Sequence, residues 1–160
     1  MPQRTSTVGV ISDTHGLLRP EAIDALRGSD AIVHAGDVGD AQIIAELKRI
    51  APLTVVRGNI DTSAWSRKLP ETNVLEVGGL TLYVLHDVQD LDVDPAAAGF
   101  AAVIFGHSHQ PLIEWRKGVL FFNPGSAGPR RFRLPISVGR LIVKEGKLKP
   151  EVIELQVSRD

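Results

Sequence analysis

The stretch Val8-Gly-Val-Ile-Ser-Asp-Thr-His15 decides the fold, because it joins a short apolar run directly to an aspartate and a histidine. Four further apolar runs occupy residues 31–34, 53–57, 80–85 and 101–105, and each is followed closely by aspartate, asparagine or histidine. Nearly continuous apolar runs of this length are typical of strands that are covered on both faces. The pattern therefore predicts five buried strands with polar groups at their carboxyl ends.

The residues between the first three runs have helical spacing. Apolar side chains recur three and four positions apart within residues 20–27 and 41–50, and Pro20 and Gly28 suit the start and the end of the first helix. Strands and helices that alternate in this way form βαβ units. We therefore expect a parallel sheet in the first half of the chain.

The second half of the chain carries hairpin signals. Glycine-containing turns at residues 78–79, 117–118 and 145–147 separate strand-like runs. We expect an α/β protein in which antiparallel strands extend a parallel core, with about ten strands in two packed sheets and helices outside. A length of 160 residues fits a single domain over residues 1–160.

The composition excludes several classes of protein. The chain has no cysteine, which rules out thiolate nucleophiles, cysteine-ligated zinc and iron–sulfur clusters. A formal net charge of -1 gives no overall attraction to long nucleic acid or to anionic membranes. The apolar runs are far shorter than the ~20 residues that span a bilayer. The N-terminus lacks the basic and apolar segments of a secretory signal, so we expect a cytoplasmic protein.

The polar groups after the strands predict a metal site. The carboxyl ends of strands in an open α/β sheet meet along one edge, which is where ligands bind. Aspartate and asparagine supply oxygen and histidine supplies nitrogen, a mixture that suits Mn²⁺, Fe, Zn²⁺ or Ni²⁺ better than Ca²⁺. The candidate ligands are Asp13, His15, Asp37, Asn59, His86, His107 and His109.

This number of ligands indicates two ions. They are too many for one catalytic ion that keeps an open position, whereas two ions that share a carboxylate would use them all. A pair of divalent cations can hold two oxygens of one substrate and generate hydroxide from water, which is the chemistry of phosphoester hydrolysis. No serine near these motifs has a free histidine and aspartate to activate it, so a covalent nucleophile is not expected.

Taken singly, the candidates have simpler explanations. Asp13 and Asp37 could be helix caps or turn residues. Asn59 could occupy a turn after Gly58, and His86 could be a hydrogen-bonded core histidine. Together, these explanations require unrelated coincidences at the ends of five strands, and a shared site is the stronger interpretation.

Two points concern the remaining histidines. His107 and His109 alternate across Ser108, so both can face one site only if they lie on a turn. His34 lies within a predicted strand, and we expect it to be a core residue or to support a ligand carboxylate without binding metal itself.

In combination, the motifs resemble those of the calcineurin-like metallophosphoesterases, and among them the small single-domain phosphodiesterases of bacteria and archaea. The matching motifs are Asp13-x-His15, Gly36-Asp37, Gly58-Asn59, His86 and Gly106-His107-Ser108-His109, and the turn Asn123-Pro-Gly-Ser126 resembles the family's late loop near the site. The resemblance covers residues 8–126. It implies a four-layer α/β/β/α sandwich of two mixed sheets flanked by helices.

The resemblance also implies how the ligands divide between the ions. By position, one ion would be bound by Asp13, His15 and His109 and the other by Asn59, His86 and His107, with Asp37 bridging them. Two divalent ions per chain are implied, with Mn²⁺ preferred and Ni²⁺, Fe or Zn²⁺ as alternatives. The expected reaction is hydrolysis of a small phosphodiester by hydroxide held between the ions.

One position departs from the family pattern. Larger members have a histidine directly after the Gly-Asn pair, which assists the leaving group, whereas this chain has Ile60 followed by Asp61. Asp61 is therefore the candidate general acid, beside the catalytic Asp37, if it is protonated when the ester is cleaved. Without such a donor, the reaction favours esters whose leaving groups depart unaided.

Other residues are candidates for contacts with the substrate or with a partner. Asn59 and Arg130 are the candidate substrate contacts, because guanidinium and amide groups bind phosphate oxygens. Arg57 and Arg131 share this property, with surface salt bridges as the alternative. Trp65 and Trp115 are expected to serve in packing or in the contact of a homo-oligomer.

Alternatives from other classes stay open. A non-catalytic protein-binding scaffold on the same fold occurs in the retromer complex, but it would be expected to lack histidine ligands that this chain retains. A phosphomonoesterase would use the same ligands. A regulatory domain with a single metal would bind one ion per chain and hydrolyse no aryl phosphodiester.

Overall fold

The apolar runs form the central strands of two five-stranded sheets. The computed structural model describes residues 5–157. Its elements, in chain order, are β1 (Ser6–Ile11), α1 (Pro20–Leu26), β2 (Ala31–His34), α2 (Ala41–Lys48), β3 (Leu53–Val55), β4 (Thr72–Val77), β5 (Leu80–Leu85), β6 (Ala102–Ile104), β7 (Leu112–Arg116), β8 (Val119–Asn123), β9 (Ser137–Lys144) and β10 (Lys147–Glu154). Short 3-10 turns lie at Ser66–Lys68 and Val88–Asp90.

Both sheets are mixed. The first has the order β10-β9-β1-β2-β3, in which β1, β2 and β3 are parallel and β9 runs antiparallel to β1. The second has the order β4-β5-β6-β8-β7, with a parallel centre of β5, β6 and β8 and antiparallel strands at both edges. The expected parallel sheet in the first half of the chain is confirmed.

Three apolar layers hold the sheets and their coverings together. The central layer lies between the sheets and includes Val10 of β1 and Leu82 of β5. On the outer face of the first sheet, α1 and α2 bury Leu26 and Leu47. The outer face of the second sheet is covered by irregular chain that includes Phe100, whose ring stacks on Tyr83 at 4.9 Å between ring centroids. The layered α/β prediction is confirmed, and both α-helices pack on the first sheet.

All three predicted hairpins close with tight turns of the same kind, and Gly78 and Gly79 between β4 and β5 have φ of 55° and 78°. Lys117 and Gly118 have φ of 50° and 79°, and Glu145 and Gly146 have φ of 53° and 72°. Positive φ at both central residues twists the turn in the sense that matches the strands. The register of β7 with β8 and of β9 with β10 follows from these turns.

Two elements end earlier than the sequence predicts. Strand β3 stops at Val55, and the backbone N–H of Arg57 donates to Pro70 O, so the chain leaves the sheet before Asn59. Helix α2 stops at Lys48, and Pro52 disfavours helical backbone at Ala51, so the helix does not continue into β3. Within residues 5–157, no helix has the length and apolar character that a membrane span requires.

Candidate metal centre

The carboxyl ends of both sheets deliver the predicted ligands to one place. Asp13, Asp37 and Asn59 follow β1, β2 and β3 of the first sheet, and the histidines at 86, 107 and 109 follow β5 and β6 of the second. Side chains from the two sheets meet directly: His15 Nε2 lies 3.2 Å from His109 Nε2, and His86 Nε2 lies 3.2 Å from Asp37 Oδ2. The structure brings all seven candidates together.

Asp13 lies at the centre of the cluster and has an oxygen with no partner. Its Oδ2 accepts hydrogen bonds from the Ser12 hydroxyl at 2.6 Å and from the backbone N–H of His107 at 3.1 Å. Its Oδ1 is buried and accepts none within the described chain. An unpartnered buried oxygen costs about 1–3 kcal/mol or more when charged.

Three imidazoles converge on that oxygen. The Nε2 atoms of His109, His15 and His86 lie 3.4, 3.7 and 3.9 Å from Asp13 Oδ1. Two groups of side chains have ligand atoms close enough to hold an ion: Asp13, His15 and His109 form one, and Asp13, Asp37 and His86 form the other. Oxygen and imidazole donors around an unsatisfied carboxylate fit a divalent transition metal.

Asp37 contacts histidines from both groups. Its Oδ2 lies 3.5 Å from His15 Nε2 and 3.2 Å from His86 Nε2, while its Oδ1 accepts the backbone N–H of Ile60 at 3.0 Å. The carboxylate is almost completely buried. In the geometry of the two groups, Asp13 is the shared residue, and Asp37 lies between His15 and His86.

Asn59 and His107 form the outer side of the cluster. His107 Nδ1 lies 3.2 Å from the Asn59 amide, and its Nε2 points away, 3.7 Å from Asp87 Oδ2. With the amide turned over, Asn59 Nδ2 lies 3.0 Å from His86 Nε2. The amide therefore faces His86, as the Asp37 carboxylate does, and also faces His107.

The electrostatics of the centre favour charged carboxylates. Burial raises the pKa of Asp13, but contacts from His109 and His15 outweigh it and hold this pKa well below its ordinary value. The pKa of Asp37 is likewise lowered, because bonding to His86 and to the Ile60 N–H overcomes burial. Burial lowers the pKa of His86, yet the Asp37 carboxylate raises it overall. Excess negative charge at the centre attracts cations.

Five of the seven ligand candidates have a strained backbone. Asp13, His15, Asp37, His107 and His109 have φ of 56°, 48°, 59°, 71° and 63°. Non-glycine residues in this left-handed region cost about 1–3 kcal/mol each and concentrate at functional sites. The strain also explains how His107 and His109 both reach the site, because they lie on a tight turn and not on a strand.

Glycines beside the ligands allow the loops to touch. A Cβ on Gly58 would overlap the backbone nitrogen and Oδ1 of Asp37, and a Cβ on Gly106 would overlap the Ser12 hydroxyl and lie 2.5 Å from Asp13 Oδ2. Any larger residue would push these loops apart. In the sequence both glycines stand directly before a candidate ligand, Asn59 or His107, and that position is the signal of close packing.

His34 is a fully buried residue that joins two ligand loops. Its Nδ1 accepts the N–H of Gly36 at 3.1 Å, so its Nε2 carries the proton and donates to Thr14 Oγ1 at 3.0 Å. The Thr14 hydroxyl in turn donates to Val38 O at 2.8 Å. Burial lowers the pKa of His34 to about 4. The expected core role is correct, but His34 bonds to the loops that carry Asp13 and Asp37 and not to a ligand carboxylate.

Asp61 lies between two of the loops that carry ligand candidates. Its carboxylate is buried and accepts three backbone N–H groups, from Val38 at 3.2 Å, Gly39 at 3.1 Å and Gly58 at 2.9 Å. These bonds hold the Asp37 loop against the Asn59 loop. Asp61 therefore braces these loops, and its assignment as general acid stays a prediction.

The candidate arginine contacts lie outside the centre. Arg130 is exposed, and its nearest bond is to Leu134 O at 3.5 Å. Arg57 pairs with Glu71 at 2.6 Å and lines a cleft of about 590 Å³ that opens beside Asn59, His86 and His107. Trp65 packs against the helical side of the first sheet, as expected, whereas Trp115 is 52% exposed on β7.

Comparison with known proteins agrees with this geometry. Residues 7–146 match the family model of the calcineurin-like phosphoesterase superfamily domain. A probable metallophosphoesterase of Methanothermobacter thermautotrophicus is 35% identical over 158 residues, which cover 91% of each chain. A phosphodiesterase of Methanocaldococcus jannaschii is 24% identical over 92% of this chain and 99% of its own.

Solved structures share the fold. The crystal structure of a predicted phosphoesterase from Streptococcus pneumoniae superposes with a TM-score of 0.73 at 27% identity, covering 94% of this chain and 90% of that one. Vps29 of Entamoeba histolytica, solved in complex with Zn²⁺, superposes with a TM-score of 0.69 at 23% identity, covering 92% and 98%. From its fold, its ligand-bearing loops and these matches, the chain belongs to the calcineurin-like phosphoesterase superfamily.

Proposed function

We propose that the protein hydrolyses small phosphodiesters with the help of two divalent cations. The observation that carries the proposal is the convergence of three imidazoles on the unpartnered, buried oxygen of Asp13. A cation is the partner that this oxygen needs. The phosphodiesterase among the relatives supports the choice of a diester, although it is only 24% identical.

The proposed ligand sets follow the two sides of the cluster. Asp13, His15 and His109 would hold one cation, Asn59, His86 and His107 would hold the other, and Asp37 would contribute to both. When bound, the cations supply a nucleophilic hydroxide and neutralise charge on the phosphoryl group. The imidazoles contribute neutral nitrogens, and the carboxylates lower the net charge of the filled site. We propose Mn²⁺ as the metal and the cytoplasm as the location.

Asp61 limits the leaving groups that the protein accepts. Because its carboxylate braces two loops, no side chain beside the centre is assigned to protonate a departing alkoxide. Aryl and other acidic leaving groups depart without a proton. We therefore expect aryl phosphodiesters to be cleaved much faster than alkyl ones.

The test uses metal-stripped protein reloaded with Mn²⁺, Ni²⁺, Zn²⁺ or Mg²⁺. We expect bis(p-nitrophenyl) phosphate to be hydrolysed in preference to p-nitrophenyl phosphate, with two ions bound per chain. Asp37→Asn should lower turnover by at least about a hundredfold, because it removes charge from the ligand set. Asp24→Asn, an exposed aspartate on α1, is the matched control. Hydrolysis with no metal added, or one ion per chain, contradicts the proposal.

A second candidate is a protein-binding scaffold, which the similarity to Vps29 structures favours. Its distinguishing result is the absence of hydrolysis with every metal. A third outcome, a higher rate with the monoester than with the diester, identifies a phosphomonoesterase. The histidines favour a phosphoesterase over a scaffold, because a scaffold has no need of strained residues that converge on one carboxylate.

A further inference from the structure

The loop before β9 presents three arginines and one phenylalanine in a row. Arg130, Arg131, Phe132 and Arg133 are all exposed, and we call this stretch the arginine segment. Phe132 is 88% exposed, more than any other large apolar side chain in the described structure. It also has a φ of 54°. A strained backbone that turns an aromatic ring into solvent gives nothing to the fold.

The charge of the arginine segment is not neutralised within the protein. The only bond of its guanidinium groups within residues 5–157 is that from Arg130 to Leu134 O, and none of the three arginines forms an ion pair there. Two other exposed arginines are paired, Arg27 with Asp24 and Arg116 with Glu114, whereas Arg49 is exposed and forms no ion pair within residues 5–157. The segment is therefore a local positive patch on a chain whose net charge is -1.

The segment begins beside the metal centre. Ser126 Oγ donates to Asp13 O at 3.0 Å, and the Ala127 N–H donates to Ser12 O at 3.1 Å. Gly128 lies against the Thr14 carbonyl so closely that a Cβ would overlap it. Arg130 follows two residues later, and an extended chain advances about 3.3–3.6 Å per residue. The segment thus begins within one or two nucleotide lengths of the centre.

Two ligand chemistries match these residues. Guanidinium groups bind phosphate oxygens through paired N–H donors. An exposed aromatic ring stacks on nucleobases of any sequence. One ring and three cations suit a few nucleotides, and the low net charge disfavours a long duplex. A substrate with both chemistries is a short single strand of nucleic acid.

We propose that the arginine segment binds a base and the adjacent phosphate of a short oligonucleotide whose scissile phosphodiester lies at the metal centre. This inference rests on the proposed function, since it names the substrate class for that site. It is separable from it, because binding to the segment needs no bound metal.

The binding test measures fluorescence anisotropy of a labelled short oligothymidylate with metal-free protein. Phe132→Ala should weaken binding by about tenfold through loss of stacking, and Phe132→Trp should restore it. Arg131→Ala/Arg133→Ala should weaken binding and reduce the salt dependence by about two phosphate contacts. The controls are Trp115→Ala and Arg49→Ala, an exposed aromatic and an exposed arginine elsewhere.

The kinetic test compares kcat/KM for an oligonucleotide with that for bis(p-nitrophenyl) phosphate. In Phe132→Ala the ratio should fall about tenfold. An unchanged ratio together with wild-type oligonucleotide affinity overturns the inference while leaving the proposed function intact. Failure to cleave the aryl diester with any metal rejects the proposed function, and the anisotropy result then stands by itself. If Phe132→Ala instead dissociates a dimer at unchanged affinity, the segment is a contact between copies of the chain and the inference is wrong.

Discussion

His34 Nε2 lies 3.0 Å from Thr14 Oγ1, inside a fold where neither group reaches solvent. This bond ties the end of β2 to the loop that carries Asp13 and His15. His34 Nδ1 already accepts the Gly36 N–H. A second proton on the ring would therefore sit on Nδ1 and face that donor. The neutral form of His34 is therefore part of the architecture of the centre.

We predict that acid destabilises the metal-free protein through protonation of His34. Burial lowers its pKa to about 4 in the folded state, whereas the ordinary value is 6.5. As the pH falls below 6.5 the unfolded chain takes up the proton first, so this contribution to the free energy of unfolding declines until about pH 4. The total loss of unfolding free energy is of the order of 3 kcal/mol, because each pH unit between the two pKa values contributes about 1.4 kcal/mol. Urea unfolding across this range measures it.

The matched variant for this prediction is His34→Gln. Subtracting its pH profile from that of the wild type isolates the histidine from the other titrating groups. Parallel profiles between pH 6.5 and pH 4 would show that His34 is not the origin of the acid sensitivity. At pH 7 the variant should also lose about 1–3 kcal/mol of stability, since it cannot reproduce both bonds.

Asp61→Asn should weaken both the fold and metal binding. The amide presents one oxygen where the carboxylate satisfies three backbone N–H groups, so we expect a loss of about 2–3 kcal/mol and looser Asp37 and Asn59 loops. Chemical denaturation and a metal-competition titration measure the two effects. A general acid would behave differently: stability would be unchanged, and only esters with poor leaving groups would react more slowly.

Metal affinity should fall as the pH is lowered from 7 to about 5, because imidazole ligands bind metal only when neutral. The Nε2 atoms of His15 and His109 lie 3.2 Å apart, so a single cation would be bound by both imidazoles. Competition with a chromophoric chelator at several pH values measures the change. Equal affinity at pH 7 and pH 5 would argue that these imidazoles are not ligands.

Asp87 should position His107 without touching the metal. Its Oδ2 lies 3.7 Å from His107 Nε2, which favours a proton on that nitrogen and leaves Nδ1 free toward Asn59. We expect Asp87→Asn to lower the affinity for the cation on the His107 side by about tenfold. Asp90→Asn, on the same cleft, is the control. If both variants lower the affinity equally, the negative charge of the cleft attracts the cation in general, and Asp87 does not orient His107.

Much of this site follows from the sequence, because apolar runs identify strands and parallel strands end along one edge. That rule located Asp13, Asp37 and His86 without any knowledge of loop shape. It could not assign Asp61, since the residue that braces two loops is defined by backbone donors that no pattern of residue types reveals. The positive φ values of His107 and His109 were anticipated only as a turn.

The left-handed backbone at five of the candidate ligands has a consequence for how this protein can change. At each of those positions glycine would relax the chain, and no glycine could take part in the chemistry. Selection for stability alone would therefore favour loss of these residues. Selection for catalytic turnover keeps the protein less stable than its fold permits. We expect the most stable members of such a lineage to be those that have lost catalytic activity.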